Sequence, residues 1–232
     1  MRNVTRVQEP PSFRRRSHGW TQDLLNKIRA EGKAPNYYYE RYNQKPVRAI
    51  RKDLEDSLLR MYSEMCCYCE GRTPRAQGEL EHLKPKKKFP DTTYDWNNLH
   101  WVCCACNGIK LEQYDDADPI LDPSDAGPIN IHIAIKTDED MKTIWLSNIN
   151  NSRRGQTTIT HAGLNREDLR IARFDIFWKT VALIGRARSP MVDAQTVEMI
   201  KVKLKTLYLG EFGFVTTVRA AFVTTALTYE DL

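Results

Sequence analysis

Between residues 47 and 65 the apolar positions Val47, Ile50, Leu54, Leu58, Met61 and Met65 recur at steps of three and four, which predicts one buried face of a helix. Pro46 suits the first turn of that helix. Upstream, WTQDLLNKIRAE (20–31) is helical in composition and Gly32 is placed to stop it. Residues 1–19, with PP followed by SFRRRSHG, show little helical pattern and read as a basic arm. Further along, the period changes. Ile129, Ile131, Ile133 and Ile135 alternate strictly in INIHIAIK, and the polar turn TDED precedes TIWLS, so a β-hairpin is predicted.

Past Asn165, a suitable N-cap, Leu169, Ile176 and Leu183 are heptad-spaced with Ala172, Phe177 and Ile184 beside them. That pattern predicts another helix with a buried face. Residues 191–208 read as a helix with a basic exposed side. The tail EFGFVTTVRAAFVTTALTYEDL is ambiguous, because β-branched residues dilute a helical period. NYYYERY (36–42) fits aromatic packing at a domain edge, with partner docking or base stacking as the alternative. Residues 66–114 follow neither period and are rich in Pro, Lys and Asn.

Composition narrows the class. With 232 residues and 41% hydrophobic content the chain can bury one good core, and 28% charge is ordinary for a folded protein. The net charge of +5 is a mild lean towards polyanions, concentrated in RRR (14–16), KPKKK (84–88) and SRR (152–154). No apolar run approaches the ~20 residues that span a bilayer, and the first residues lack the apolar core of a signal peptide, so a cytoplasmic protein with no membrane partner is expected. All six cysteines fall within residues 66–106, a clustering that favours metal over a disulfide framework.

Cys66-x2-Cys69 and Cys103-x2-Cys106 form two knuckles. Each turn presents two thiolates to one ion about 2.3 Å away, and together they make a closed four-sulfur site, so structural Zn²⁺ is expected. Buried reduced thiols or a redox pair are the alternatives, but no thioredoxin-like strand-turn-helix pattern surrounds either motif. Cys67 and Cys104 occupy spacer positions and are expected to pack or be exposed.

The segment between the knuckles carries GELEHLKPKKKFPDTTYDWNNLHWVCCACNGIK. Glu81 and His82 end a short apparent strand, where diverging side chains let Glu81 grip a metal while His82 stands clear of it. WNNL leads into a second strand, and the second knuckle starts a helix carrying Asn107. EHLKPK, WNNL and CCACNGIK, in that order over residues 66–112, resemble the His-Asn-Asn form of the HNH, or ββα-metal, nuclease fold with flanking zinc knuckles. The resemblance implies an α+β fold: an HNH ββα-metal core with a four-cysteine structural zinc site, embedded in a mainly helical domain with one small β-hairpin. It divides the chain into a basic N-terminal arm and helix (1–44), the nuclease core (45–115), and a β-hairpin plus helical region (116–232).

Residue by residue, the resemblance makes His82 the general base, Glu81 the acidic metal ligand, Asn98 the residue that pins the base-bearing loop and orients the imidazole, and Asn107 a second metal ligand. Oxygen ligands alone then favour Mg²⁺ or Mn²⁺. Lys84, Lys86, Lys87, Lys88 and Lys110 become candidates for holding the phosphate backbone as a group, although each alone fits a solvated surface. His18, His132 and His161 have no metal-spaced neighbours and read as structural or exposed, and His100, in the second strand, reads the same way with a place in the site as the alternative.

CCYCE, ELEHLKPKKKFP, YDWNNLHWVCCACN, PILDPSDAGP and THAGLNREDLRIAR, spread over about residues 45–175, are similar to one HNH group, the PtuB nuclease subunits of Septu and retron-associated anti-phage systems. That similarity implies nucleic-acid cleavage, DNA first and RNA such as tRNA second, with an SMC/ABC-type ATPase of the PtuA kind as partner and, in a retron system, a reverse transcriptase with its RNA–DNA product. The arm, the tyrosine cluster and the C-terminal helices are the candidate docking surfaces. A non-catalytic zinc-dependent nucleic-acid-binding subunit and a purely structural subunit are the competing classes.

Overall fold

The computed structural model describes residues 1–44, 47–138 and 142–231; Pro46 and the tip of the TDED turn lie outside them. The architecture is α+β and mostly helical, with two separate two-stranded antiparallel sheets among the described residues. Among the described residues, no helix is long and apolar enough to cross a membrane.

Helix α1 spans Pro11–Glu31 with proline at its first position. It therefore starts well before Trp20 and takes in half of the expected arm. Its first turns carry a single apolar anchor, Phe13, which is fully buried and packs edge-on against Trp20, while Arg14, Arg15 and Arg16 stay exposed. Tertiary packing thus supplies what the sparse pattern lacks. Gly32 ends the helix in the left-handed conformation, its N–H bonded to the Ile28 carbonyl at 2.7 Å. The short α2 (Asn36–Tyr39) follows, and Tyr39 and Tyr42 are buried, Tyr42 edge-on to Tyr94, so that part of the tyrosine cluster is packing. In α3 (Arg48–Tyr62), Ile50, Leu54, Leu58 and Met61 form the expected buried face. Ser63 and Glu64, both at positive φ, then swing the chain into the first knuckle.

Strands β1 (Gly78–His82) and β2 (Leu99–Cys103) pair with Glu81 opposite His100 and His82 opposite Leu99. Helix α4 (Cys104–Lys110) begins at once after β2 and packs on both strands, giving a ββα unit. Residues 1–10 are not a free arm. Val4 N–H bonds the Pro123 carbonyl, the Asn3 side chain bridges Gly127 and Ile129, and Trp96 Nε1 donates to the Val7 carbonyl at 3.0 Å. The Arg6 guanidinium donates to the carbonyls of Trp96, Asn97 and Leu99 at 2.7 to 3.1 Å and lies over the Trp96 ring.

The second hairpin pairs β3 (Ile133–Thr137) with β4 (Ile144–Asn148). Ile129 and Ile131 fall outside it in a 3₁₀ turn, because the Ile129 N–H is taken by Asn3 and its carbonyl by His132. Helix α5 (Arg153–His161) has Ile159 as its one large apolar side chain, buried on the same side as Gly155 and Thr158, and starts on a Ser152 cap, whose Oγ accepts from Gly155 N–H. Helix α6 (Glu167–Ala187) starts one residue later than expected, with Arg166 as N-cap. The Asn165 amide is used elsewhere, bonding both N–H and C=O of Leu146 at 2.8 and 2.7 Å on β4. Gly163, at φ +57°, joins α5 to α6, and a Cβ there would meet the Ile109 side chain at 2.7 Å, so α4 and this turn touch closely.

Helices α7 (Ala194–Leu209) and α8 (Val215–Thr224) pack on α6 around Ile184, Leu204, Leu207, Val218 and Phe222. The ambiguous tail is thus a helix, with Val215, Val218, Ala221 and Phe222 on its buried side.

Candidate active site and metal centre

The loops after α3 and at the end of β2 bring the Sγ atoms of Cys66, Cys69, Cys103 and Cys106 within 4.8 Å of one another. Tetrahedral bonds of 2.3 Å place sulfurs about 3.8 Å apart, and Cys69 and Cys103 stand at 3.9 Å. Backbone N–H groups of Gly71 and Cys106 point at Cys69 and Cys103 sulfur at 3.4 and 3.5 Å, the geometry of a knuckle turn. Burial pushes the Cys66 thiol up, so a cation is what can hold this set as thiolates. The donor set therefore fits one tetrahedral ion. Cys67 is buried, its N–H on the Trp101 carbonyl, and Cys104 is exposed with Sγ against the Gln77 carbonyl; neither joins the cluster.

Glu81 and His82 close β1 and border one cleft of about 180 Å³ with Asn107 and Lys86. A larger cleft, about 600 Å³ between residues 7–12 and α3, holds no histidine or cysteine, so size does not select the chemistry here. Glu81 is 5% exposed, and its carboxylate faces the Lys110 ammonium at 2.5 Å. Burial raises the Glu81 carboxyl and Lys110 opposes the rise. The oxygen that faces Lys110 is Oε1, so a cation held by Glu81 would share that oxygen with the ammonium or use Oε2.

Lys110 corrects one expectation. It is fully buried, with its ammonium on Glu81 and on the His82 carbonyl at 3.0 Å, and is not a surface cation for a backbone phosphate. The short α4 packs on β1, so the residue one turn beyond Asn107 is carried under the strand end, where its charge meets Glu81.

His82 is 7% exposed and Nε2 bonds the Thr93 carbonyl at 3.0 Å. A carbonyl only accepts, so Nε2 carries the proton and Nδ1 keeps its lone pair. Burial, then the nearby Lys86 ammonium, lowers the imidazole to about 4, which keeps it neutral at physiological pH.

Asn98 works on the loop between the strands. Its Oδ1 accepts from Lys84 N–H at 2.7 Å, and its Nδ2 donates to the Lys84 and Thr92 carbonyls at 3.0 and 3.1 Å. The imidazole itself is held by the next residue, Thr93, so Asn98 acts on it through the Thr92–Thr93 peptide. Replacing Asn98 with alanine strands these buried groups, and a loss of about 1–3 kcal/mol in urea unfolding is expected; an unchanged midpoint would remove the pinning role.

Asn107 is half-buried and its Nδ2 donates to the Glu79 carboxylate, leaving Oδ1 as the atom able to meet a cation. Glu79 went unremarked in the sequence, although alternation in GELEH sets it on the face of Glu81. Of the remaining lysines only Lys86 borders the cleft, paired with Glu40. Lys87 pairs with Glu112 and Lys88 with Asp116 on the surface, while Lys84 lies 5.8 Å over Phe89. Polyanions can compete with such exposed pairs, which are weak in water. His100 is fully buried with Nδ1 on Tyr62 Oη at 2.6 Å and does not border the cleft; nor do His18, His132 and His161.

No family model matches the chain. It is similar to the Septu protein PtuB of Bacillus thuringiensis, 36% identical over 76 residues, which are 32% of this chain and 30% of that protein. It is also similar to a protein of Vibrio cholerae serotype O1 biovar El Tor named "Retron Vc95 putative HNH endonuclease", 25% identical over 157 residues, 65% of this chain and 75% of that one. The chain thus matches under a third of the first relative's length and three quarters of the second's. Both names agree with the resemblance to a PtuB-like HNH nuclease of defence systems, at modest identity.

Proposed function

We propose that the chain is a metal-dependent HNH endonuclease that hydrolyses nucleic-acid phosphodiester bonds, DNA first, as the effector of an anti-phage complex with a PtuA-type ATPase. Residues 45–115 form the nuclease core in this reading, and Cys66, Cys69, Cys103 and Cys106 hold structural zinc. The observation that carries it is the cleft itself: a buried neutral histidine with a free Nδ1 beside an acidic side chain and an asparagine. Pure binding needs only the lysines. The names of the two relatives support the nuclease class and the defence setting.

Glu81 and Asn107 are the residues that would hold the catalytic ion, and oxygen donors of this kind suit Mg²⁺ or Mn²⁺. When bound, such an ion supplies charge neutralisation at the phosphate and the leaving oxygen. His82 Nδ1 takes the proton of the attacking water while Thr93 holds the ring. An anionic backbone entering the cleft raises the imidazole's affinity for that proton. Lys86 is placed to draw the backbone in by exchanging its Glu40 partner for a phosphate. Contacts of this kind read the backbone, so little sequence preference is expected.

The test is cleavage by the complex assembled with its ATPase, on supercoiled DNA and on tRNA, with and without Mg²⁺ or Mn²⁺. Cation-dependent DNA cleavage is expected, and Glu81→Gln should lower it roughly 10²-fold or more, the scale of losing several kcal/mol of charge stabilisation. Cleavage of tRNA alone would move the substrate to RNA. Cleavage of neither polymer would overturn the reading.

A further inference from the structure

We propose that Arg166 and Arg173, at the start of α6, form a charge-compensating shell around the four-cysteine metal centre. The proposal rests on the reading that the cysteines bind zinc. Four thiolates around one divalent ion leave a net double negative charge in a largely buried place. Arg166 Nη1 donates to Cys106 Sγ at 3.2 Å, and the same nitrogen holds the Gly163 carbonyl at 3.2 Å. Its Nε is fixed by Asp168 at 3.0 Å, so the fork is oriented from both sides.

Arg173 is the stronger clue. It is 2% exposed and one turn-pair further along α6, with Nη1 on the Leu164 carbonyl at 2.6 Å. Nη2 has no hydrogen-bond partner, and among the described residues no carboxylate pairs with it. The acidic groups near enough for their charge to act on it are Cys69, Glu70 and Cys106. Glu70 is already engaged by the Met1 amine and by Thr216. A buried guanidinium without a counter-charge is strongly unfavourable. Metal-bound thiolates supply that charge, whereas neutral thiols do not. Metal binding and docking of α6 are therefore one coupled event, joining the ββα unit to the C-terminal helices.

Cobalt and zinc loading of the full chain tests this. In Arg166→Gln the sulfur-to-cobalt charge-transfer band moves to longer wavelength, because a thiolate that loses an N–H donor is easier to oxidise. Metal affinity, by competition with a chelator, falls roughly 10- to 100-fold, as for other groups that orient metal ligands. Arg166→Lys recovers part of the affinity. An unchanged band and affinity in Arg166→Gln overturn the proposal. Should that variant not fold, hydrogen exchange of the wild type decides: amides of residues 167–174 lose protection on chelation if the coupling exists, and retained protection overturns it. Wild type that takes up neither metal overturns the zinc reading as well.

Discussion

Replacing His82 with alanine lowers phosphodiester cleavage by roughly 10²- to 10⁴-fold, the range that a positioned general base contributes. Zinc content changes little, because His82 is not part of the cysteine cluster, while the lost bond to Thr93 costs about 1–3 kcal/mol in unfolding and leaves the protein folded. The size of the effect follows from how little freedom the ring has. It ends β1 at 7% exposure, its proton is committed to Thr93, and its lone pair is the strongest neutral base bordering the cleft. The measurement is initial cleavage rate at saturating Mg²⁺ alongside zinc stoichiometry for both proteins. Equal rates in wild type and variant would remove His82 from the chemistry.

The second large effect is on folding. Cys69→Ser loses the metal and with it soluble protein, since a neutral hydroxyl is a poor substitute for a thiolate. Apparent binding free energies of structural zinc, about 10–16 kcal/mol in small domains, match or exceed the 5–15 kcal/mol that usually separates folded from unfolded chains. Cys69 is buried within this set and bonds Gly71 N–H, so the turn itself is lost with the sulfur. Cys104→Ser is the control. That residue is exposed, with Sγ 3.5 Å from the Gln77 carbonyl and outside the cluster, and the variant keeps a full metal complement. Zinc analysis of both variants settles the assignment, and zinc loss from Cys104→Ser would mean that the wrong sulfurs were chosen.

What the sequence makes legible here is local. Both C-x2-C knuckles, the buried face of α3 and the second hairpin follow from spacing within a few residues, where chain geometry dictates who faces whom. Contacts across long separations are illegible for the same reason. Nothing near Lys110 shows that its ammonium ends beneath Glu81, and nothing near Arg166 shows that it reaches Cys106. Asn165 has the right chemistry for a cap, yet an unpaired strand edge at Leu146 takes its amide. The start of α1 is hidden because one aromatic, Phe13, carries the packing of two turns of arginine and serine. Of the cleft, Glu81, His82 and Asn107 are legible as a constellation, whereas the tie from Asn98 to the ring through Thr93 emerges only from the fold.

The Arg6 fork adds a matter of timing. Its acceptor at Leu99 lies 93 residues further along the chain. At synthesis rates of 5–20 residues per second, the guanidinium waits roughly 5 to 19 s on the ribosome before the turn it clasps exists. The carbonyls that line up under Arg6 also frame Asn98, so a nascent chain carries an unfinished cleft through that interval. The turn that carries Asn98 thus gains its clasp as soon as residue 99 is in place, because the clasping side chain was among the first made.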